Sequence, residues 1–411
     1  MPEVDVAIVG AGLAGLRCAQ VLEASGLEVA VFERGATVGG RIQTDVVDGY
    51  LIDRGFQLLN PAYAALRASL DLAALELRPL VAGVALGSVT GPTLLDPRRA
   101  PGSLPATLQA LPGPRRSQLA FGRLAAQTLI APQAVSRRLG SVSTAEGLTR
   151  LGITGPLRST LLDPFLVGVT LDPDLEVPLG FTTLVLRSML LGRPSVPARG
   201  MGELPRQLAR QLATSTVRLG AEVERASATE VFVEGTTYRA KAVVLGVDAQ
   251  ALSRFDPDLP PPPMGSVTTY WHATSGSAGR ALLAVAPQGP WNSVELSAAA
   301  PRYAPAGRRL FATSTPTRVP DAAARTAAAA LQGLAEGDLE LVAVTEVDAA
   351  LPLGRPPLEL DRLAQSHGRF VAGDHTTTAS IQGALVSGAR AAHAVMATLG
   401  VDPPRKPRPP R

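Results

Sequence analysis

Residues Val4 to Val9 form an apolar run broken only by Asp5, the pattern of a buried strand. Gly10-Ala11-Gly12-Leu13-Ala14-Gly15 follows, then a helical pattern to about Ser25, with Gly26 as its stop signal. A second apolar run, Leu27 to Phe32, predicts another strand, and Glu33 stands at its end. Near the far end of the chain, Phe370-Val371-Ala372-Gly373-Asp374 and a small-residue helical stretch predict a further strand and helix.

Strand, glycine turn and helix together make the βαβ dinucleotide fingerprint. Gly10 permits the tight turn, Gly12 lets backbone approach a pyrophosphate, and Gly15 lets helix and strand pack closely. The helix start offers unpaired N–H groups and the positive end of a dipole to phosphates. Glu33 stands where a carboxylate accepts hydrogen bonds from ribose hydroxyls, which disfavours a 2′-phosphate and so NADP. The fingerprint alone leaves NAD and FAD open. Cys18, inside the helix, reads as a core residue.

Composition narrows the class. The chain has 411 residues, 46% hydrophobic and 18% charged, enough for two connected domains with a sizeable core. A single cysteine excludes an intrachain disulfide and a cysteine-based metal site, and the four histidines lack metal-ligand spacing, so no metal is expected. The start lacks a signal-peptide pattern and no apolar run suits a membrane span, which points to the cytoplasm. The net charge of +4 is carried almost wholly by arginine, with lysine only at Lys241 and Lys406. No aromatic residues accompany the basic ones, so no nucleic-acid partner is expected.

Gly39-Gly40-Arg41, Asp53-Arg54-Gly55-Phe56-Gln57, Gly373-Asp374 and Ser380-Ile381-Gln382-Gly383-Ala384 carry a resemblance. The chain is similar to the flavin amine oxidase, phytoene desaturase and protoporphyrinogen oxidase superfamily. That resemblance implies an α/β fold: a Rossmann-type, glutathione-reductase-like FAD-binding domain with a discontinuous α+β substrate domain. It implies non-covalent FAD, because the usual cysteine for attachment is absent. The implied cofactor-binding residues are Gly10, Gly12, Leu13, Ala14, Gly15, Glu33, Arg34, Gly39, Gly40 and Arg41 at the N-terminal end. Gly55, Phe56 and Gln57 would line the isoalloxazine, and the backbone at Val223 would touch adenine. Gly373 and Asp374 would lie near the ribityl chain, with Ile381, Gln382 and Ala384 at the flavin's pyrimidine edge. Pro197–Leu212 resembles a helix entry, Tyr238–Val247 a returning strand, and Asn292–Ser297 with Tyr303–Gly307 a substrate-domain hairpin.

On this resemblance the FAD domain takes residues 1–60, 200–255 and 360–400, and the substrate domain 61–199 and 256–359. Residues 401–411 read as a disordered basic tail. Pro260–Pro263 fits a crossing between domains, and the Ala-rich stretch Asp321–Gly337 a surface helix. From Arg98 to Arg138 there are seven arginines and no acid, interspersed with Leu119, Phe121, Leu124, Leu129 and Ile130. This segment is a candidate for peripheral membrane contact; a solvated helix pair is the favoured alternative, since prolines interrupt it.

The resemblance further implies an oxidoreductase, in which the cofactor carries the hard step. No lysine fits the water-linked role common in amine oxidases, and Thr378, Ala379 and Ser380 stand where an aromatic cage residue is usual. These departures favour dehydrogenation of an apolar, isoprenoid or carotenoid-like substrate by hydride transfer to flavin N5, with oxygen or a quinone as electron acceptor. The alternatives are a flavin amine oxidase, a redox-neutral flavin-dependent isomerase and a non-catalytic flavin-binding partner protein. No catalytic residue is assigned; His375 is a weak candidate for proton transfer. Tyr270 and Trp271 are candidates for the substrate cavity, with core packing as the favoured role.

Overall fold

The computed structural model describes residues 2–131, 138–258, 261–289, 291–355 and 365–403. Arg137, Pro260 and residues 404–411 of the tail lie outside these.

Two sheets organise the chain. In the first, five parallel strands run in the spatial order Thr216–Leu219, Val29–Glu33, Glu3–Val9, Thr236–Leu245, Arg369–Val371. The strands Val223–Ala226 and Glu230–Val233 extend this sheet as an antiparallel meander. The central strand shows why its pattern is continuous and not alternating. Val6 and Ile8 enter the core on one face, Ala7 and Val9 the core on the other, and all four are buried. The helices Leu13–Glu23 and Ile381–Leu399 pack together over the first of these faces. Their crossing is tight at Gly388, where a Cβ would sit 2.2 Å from the Ala14 carbonyl oxygen.

The second sheet is mostly antiparallel, in the order Glu340–Pro352, Met264–Ser275, Arg308–Thr315, Asn292–Glu295, Leu283–Val285, Gly83–Leu86, Thr93–Leu95. Asn292–Glu295 and Arg308–Thr315 do form an antiparallel pair, but Tyr303–Gly307 is not an arm of it. Pro301–Tyr303 coils into a turn instead, because Tyr303 is drawn inward to a buried partner. The Ala-rich helix Asp321–Gln332 is less superficial than its composition suggests. Ala324, Ala328, Ala329 and Leu331 are buried, and Gln332 donates to Ser293 of the sheet. Tyr270 and Trp271 are fully buried packing residues, with Tyr270 held by the Val319 carbonyl and Trp271 by the Thr345 hydroxyl. Cys18 is fully buried, and burial pushes its thiol far up.

Asp53 ties the two halves together. It is 1% exposed and accepts from Thr44 Oγ1, the Met201 N–H at 2.9 Å and Tyr303 Oη at 2.7 Å. Burial pushes its carboxyl up to about 6, against the pull of these three donors. A folded value above the unfolded one makes the penalty grow as pH rises from about 4 through about 6, to roughly 3 kcal/mol at most. The melting temperature of the wild type minus that of Asp53→Asn is therefore expected to fall between pH 4.5 and 7.5. A difference that stays constant across that range excludes Asp53 as the titrating group.

Candidate functional site

A single cavity of about 980 Å³ begins at the glycine turn, runs between the two sheets and ends among the helices of residues 115–191. Its first part is a groove over the carboxyl ends of the parallel strands, the position where α/β sheets take ligands.

Two helices begin in this groove. Leu13–Glu23 starts after Gly12 with no side-chain cap and no acid in its first turn, so its leading N–H groups remain unpaired by side chains. Ile381–Leu399 starts after Ser380, whose hydroxyl accepts from one N–H of the first turn, that of Gly383. Both helices follow parallel strands of the first sheet, Glu3–Val9 and Arg369–Val371, and their positive ends reach the same cavity, which Leu13, Ala14, Ile381 and Ala384 line.

The glycines divide by cause. Gly10 has φ +101°, and a Cβ there would meet the Gly246 carbonyl oxygen at 2.7 Å, so the protein itself demands glycine. A Cβ on Gly15 would lie 2.0 Å from the Gly10 oxygen; Gly15 serves helix–strand packing and does not line the cavity. Gly12 differs. Its φ is an ordinary −74°, and a Cβ there meets nothing within 4 Å. No protein atom explains that glycine, whereas a phosphate brought against the backbone in the open groove does. This is the observation by which the residues fit a dinucleotide.

Glu33 lies on the same wall, its Oε2 accepting from the Ala11 N–H and its Oε1 from the Gly35 N–H, both at 2.8 Å. Each oxygen keeps a lone pair, so the carboxylate both braces the glycine turn and can accept from ribose. Arg34, Gly39, Gly40, Arg41 and Val223 also line the groove. Arg41 reaches Asp374 at 2.5 Å and the Ala350 carbonyl, joining residues from opposite ends of the chain. Despite burial, the Asp374 charge holds the Arg41 guanidinium above its ordinary value. Gly55, Phe56 and Gln57 follow along the wall, with the Gln57 amide donating to the Arg41 and Arg54 carbonyls.

Besides Gly15, two expected residues stand elsewhere. The Gln382 side chain turns away from the cavity and accepts from the Ala65 N–H at 3.0 Å, because its position on the first helical turn faces the helix Ala64–Ser69. The His375 ring folds over Gly373 and does not line the cavity; burial lowers its basicity, and both ring nitrogens lack a partner. Off the wall, it is poorly placed for proton transfer. Asp248 was missed by sequence reasoning. It lines the groove while capping the helix Ala249–Phe255, and its signal was an N-cap acid directly after the returning strand.

Beyond Phe56 the cavity becomes an apolar chamber, walled by Phe121, Leu124, Leu161, Phe165, Phe181 and Met189 among others. At its edge Asp96 is gripped by Arg98 in three hydrogen bonds, two from the guanidinium and one from the backbone N–H, and approached by Arg99. The Arg98 hydrogen bonds hold its carboxyl below the usual range despite partial burial. Lys241 is far from this chamber, ion-paired to Asp5 at 2.7 Å, and Lys406 lies outside the described residues. Among the described residues no helix is long and apolar enough to cross a membrane.

A family model for flavin containing amine oxidoreductases matches residues 13–284. Putrescine oxidase of Kocuria rosea is 45% identical over 74 residues, 18% of this chain and 16% of that protein's length. Hydroxyneurosporene desaturase of Rubrivivax gelatinosus is 46% identical over 50 residues, 12% of this chain and 10% of that protein. The matches thus span only a small part of these curated relatives. Among solved structures, wild-type putrescine oxidase bound to putrescine shares the fold, with a TM-score of 0.69 and 20% identity over 96% of this chain and 99% of that one.

The contrast among glycines yields a prediction. Gly12→Ala is expected to fold with an unchanged melting temperature for the cofactor-free protein, yet to bind FAD at least about tenfold more weakly, as titration would measure. Gly10→Ala is expected to lose stability with or without FAD. Unaltered FAD affinity in Gly12→Ala would remove the assignment of Gly12 to the phosphates.

Proposed function

Since the chain belongs to the flavin containing amine oxidoreductases, we propose that it is an FAD-dependent oxidoreductase that dehydrogenates an apolar, isoprenoid or carotenoid-like substrate. The first sheet with its two groove-facing helices is the Rossmann-type FAD-binding domain, and the second sheet with its helices is the substrate domain. FAD, when bound, supplies a two-electron acceptor for hydride at N5.

The chain's own residues would do the rest. Glu33 would hold the ribose hydroxyls, and the N–H groups at Gly12 to Ala14 would hold the pyrophosphate with Arg41 beside them. Gly373 and Asp374 would bind the chain between pyrophosphate and flavin. Gly55, Phe56 and Gln57 would position the ring, and the helix start at Ile381 would favour negative charge on it.

The observation carrying the substrate class is the charge inventory of the chamber. Among the described residues, the cavity-lining carboxylates other than Glu33, Glu222, Asp248 and Asp374 reduce to Asp96, and two arginines already pair with it. A cation would find no unpaired carboxylate in its apolar part, and Ala379 and Ser380 occupy the turn before the second helix, where amine oxidases usually place a cage aromatic. A neutral apolar molecule gains from burying its surface against the leucine and phenylalanine walls. Hydride would leave one carbon and a proton the next, giving a double bond; oxygen or a quinone would accept the electrons afterwards.

The second reading is a flavin amine oxidase, favoured by the likeness to putrescine oxidase. Anaerobic addition of a polyene hydrocarbon or of a primary amine to the FAD-loaded protein separates them. Bleaching of the flavin band by the polyene alone is expected; bleaching by the amine alone overturns the apolar reading.

Contact with an anionic membrane surface belongs to the same proposal. Helix Arg115–Ile130 presents Phe121 and Leu124 to the chamber and exposes Leu119, Arg123 and Ile130 on its other side. Co-sedimentation with phosphatidylglycerol vesicles but not with pure phosphatidylcholine is expected, and equal sedimentation with both would remove this contact.

A further inference from the structure

One row of residues across the second sheet breaks the apolar character of the chamber. Strand register places Thr345 opposite Thr269, Thr269 opposite Ser314, Ser314 opposite Asn292, and Asn292 opposite Val285. Residues directly opposite in neighbouring strands share a face and are close neighbours. Four adjacent polar side chains therefore form a strip that ends at an apolar neighbour.

Most of the strip is already satisfied. The Gly55 N–H donates to Thr345 Oγ1 at 3.2 Å and the Phe56 N–H to Thr269 Oγ1 at 3.1 Å. Thr269 and Ser314 share a hydrogen bond of 2.8 Å. The end of the strip is not. Asn292 is only 8% exposed, and its Oδ1 is buried without a hydrogen-bond partner. A buried amide oxygen left unpaired is destabilising, so its retention calls for a cause outside the protein's own packing. Gly168 packs directly against this amide, since a Cβ there would lie 3.0 Å from Asn292 Nδ2. Glycine at that point leaves room around the amide. Asn292, Ser314 and Gly168 all line the chamber, and Val285 beside them does too.

We infer that Asn292 and Ser314 form a subsite for a hydroxyl group carried on an otherwise apolar substrate. A hydroxyl both donates and accepts, which matches an amide beside a serine hydroxyl. With Thr269 donating to Ser314, the Ser314 O–H is free to donate to the ligand oxygen, and rotation of the Asn292 side chain would turn its amide oxygen, closed off in this structure, towards the ligand proton. The inference rests on the reading that the apolar chamber holds the substrate. It makes the strip a specificity determinant, since a site built to pair a hydroxyl discriminates against the analogue that lacks it.

The test uses 1-octanol and octane as probes of the FAD-loaded protein, with binding followed by calorimetry and by the flavin difference spectrum. The readout is the ratio of the two affinities, which cancels the chamber's general apolar contribution. Asn292→Leu is expected to lower the octanol-to-octane ratio by about tenfold, the scale of one lost hydrogen bond, while octane binding stays the same or tightens. Ser314→Ala, a smaller change, is expected to lower the ratio in the same direction and serves if Asn292→Leu does not fold. An unchanged ratio in a folded variant overturns the subsite while leaving the apolar chamber in place. Failure of the wild type to bind either probe removes the chamber reading, and the subsite with it.

Discussion

A helix that begins in a groove exposes backbone N–H groups that its own turns cannot pair, and here two helices begin side by side. Leu13–Glu23 and Ile381–Leu399 are in contact along their lengths, so neither start can move without the other. Gly388 sets how closely they pack, through its approach to the Ala14 carbonyl. The groove therefore keeps a fixed positive character at two points, one over the glycine turn and one farther along the cavity. Everything else in the site answers that character. Glu33 stands at the edge of the groove with spare acceptor capacity, and Arg41 lines the same cavity, already matched to Asp374.

The apolar chamber depends on that groove being held against the second sheet. Asp53 does much of this, because one buried carboxyl gathers Thr44, Met201 and Tyr303 from three separate stretches of chain. The N–H groups of Gly55 and Phe56, two and three residues later, then reach hydroxyls of the second sheet. The wall that would face the flavin ring is thus bonded directly to the sheet that lines the apolar chamber. Groove and chamber form one continuous space, as the proposed hydride transfer between their contents would require.

The parallel strand, the glycine turn and Glu33 were legible in the sequence because they are local: apolar run, turn chemistry and helix stop lie within about thirty residues of each other, as the βαβ unit requires. The positions of Gly373, Asp374, Ile381 and Ala384 were legible only through resemblance, since nothing local says that a strand near residue 370 returns to the first sheet. Gln382 shows the limit of a motif. Backbone position carries over, but a side chain's direction depends on what the helix packs against, here the segment Ala64–Ser69. Asn292 gave no sequence signal, because its meaning comes from strand register across Ser314, Thr269 and Thr345. The buried state of Asp53 was equally invisible, since its partners lie as far away in sequence as Tyr303.

The most direct test of the account is the flavin content of the purified protein after incubation with FAD. The account predicts one FAD per chain, released intact by denaturation because it is not covalently held, with FMN and NADP failing to compete. A protein that retains no flavin under these conditions, or that prefers NADP, would contradict it.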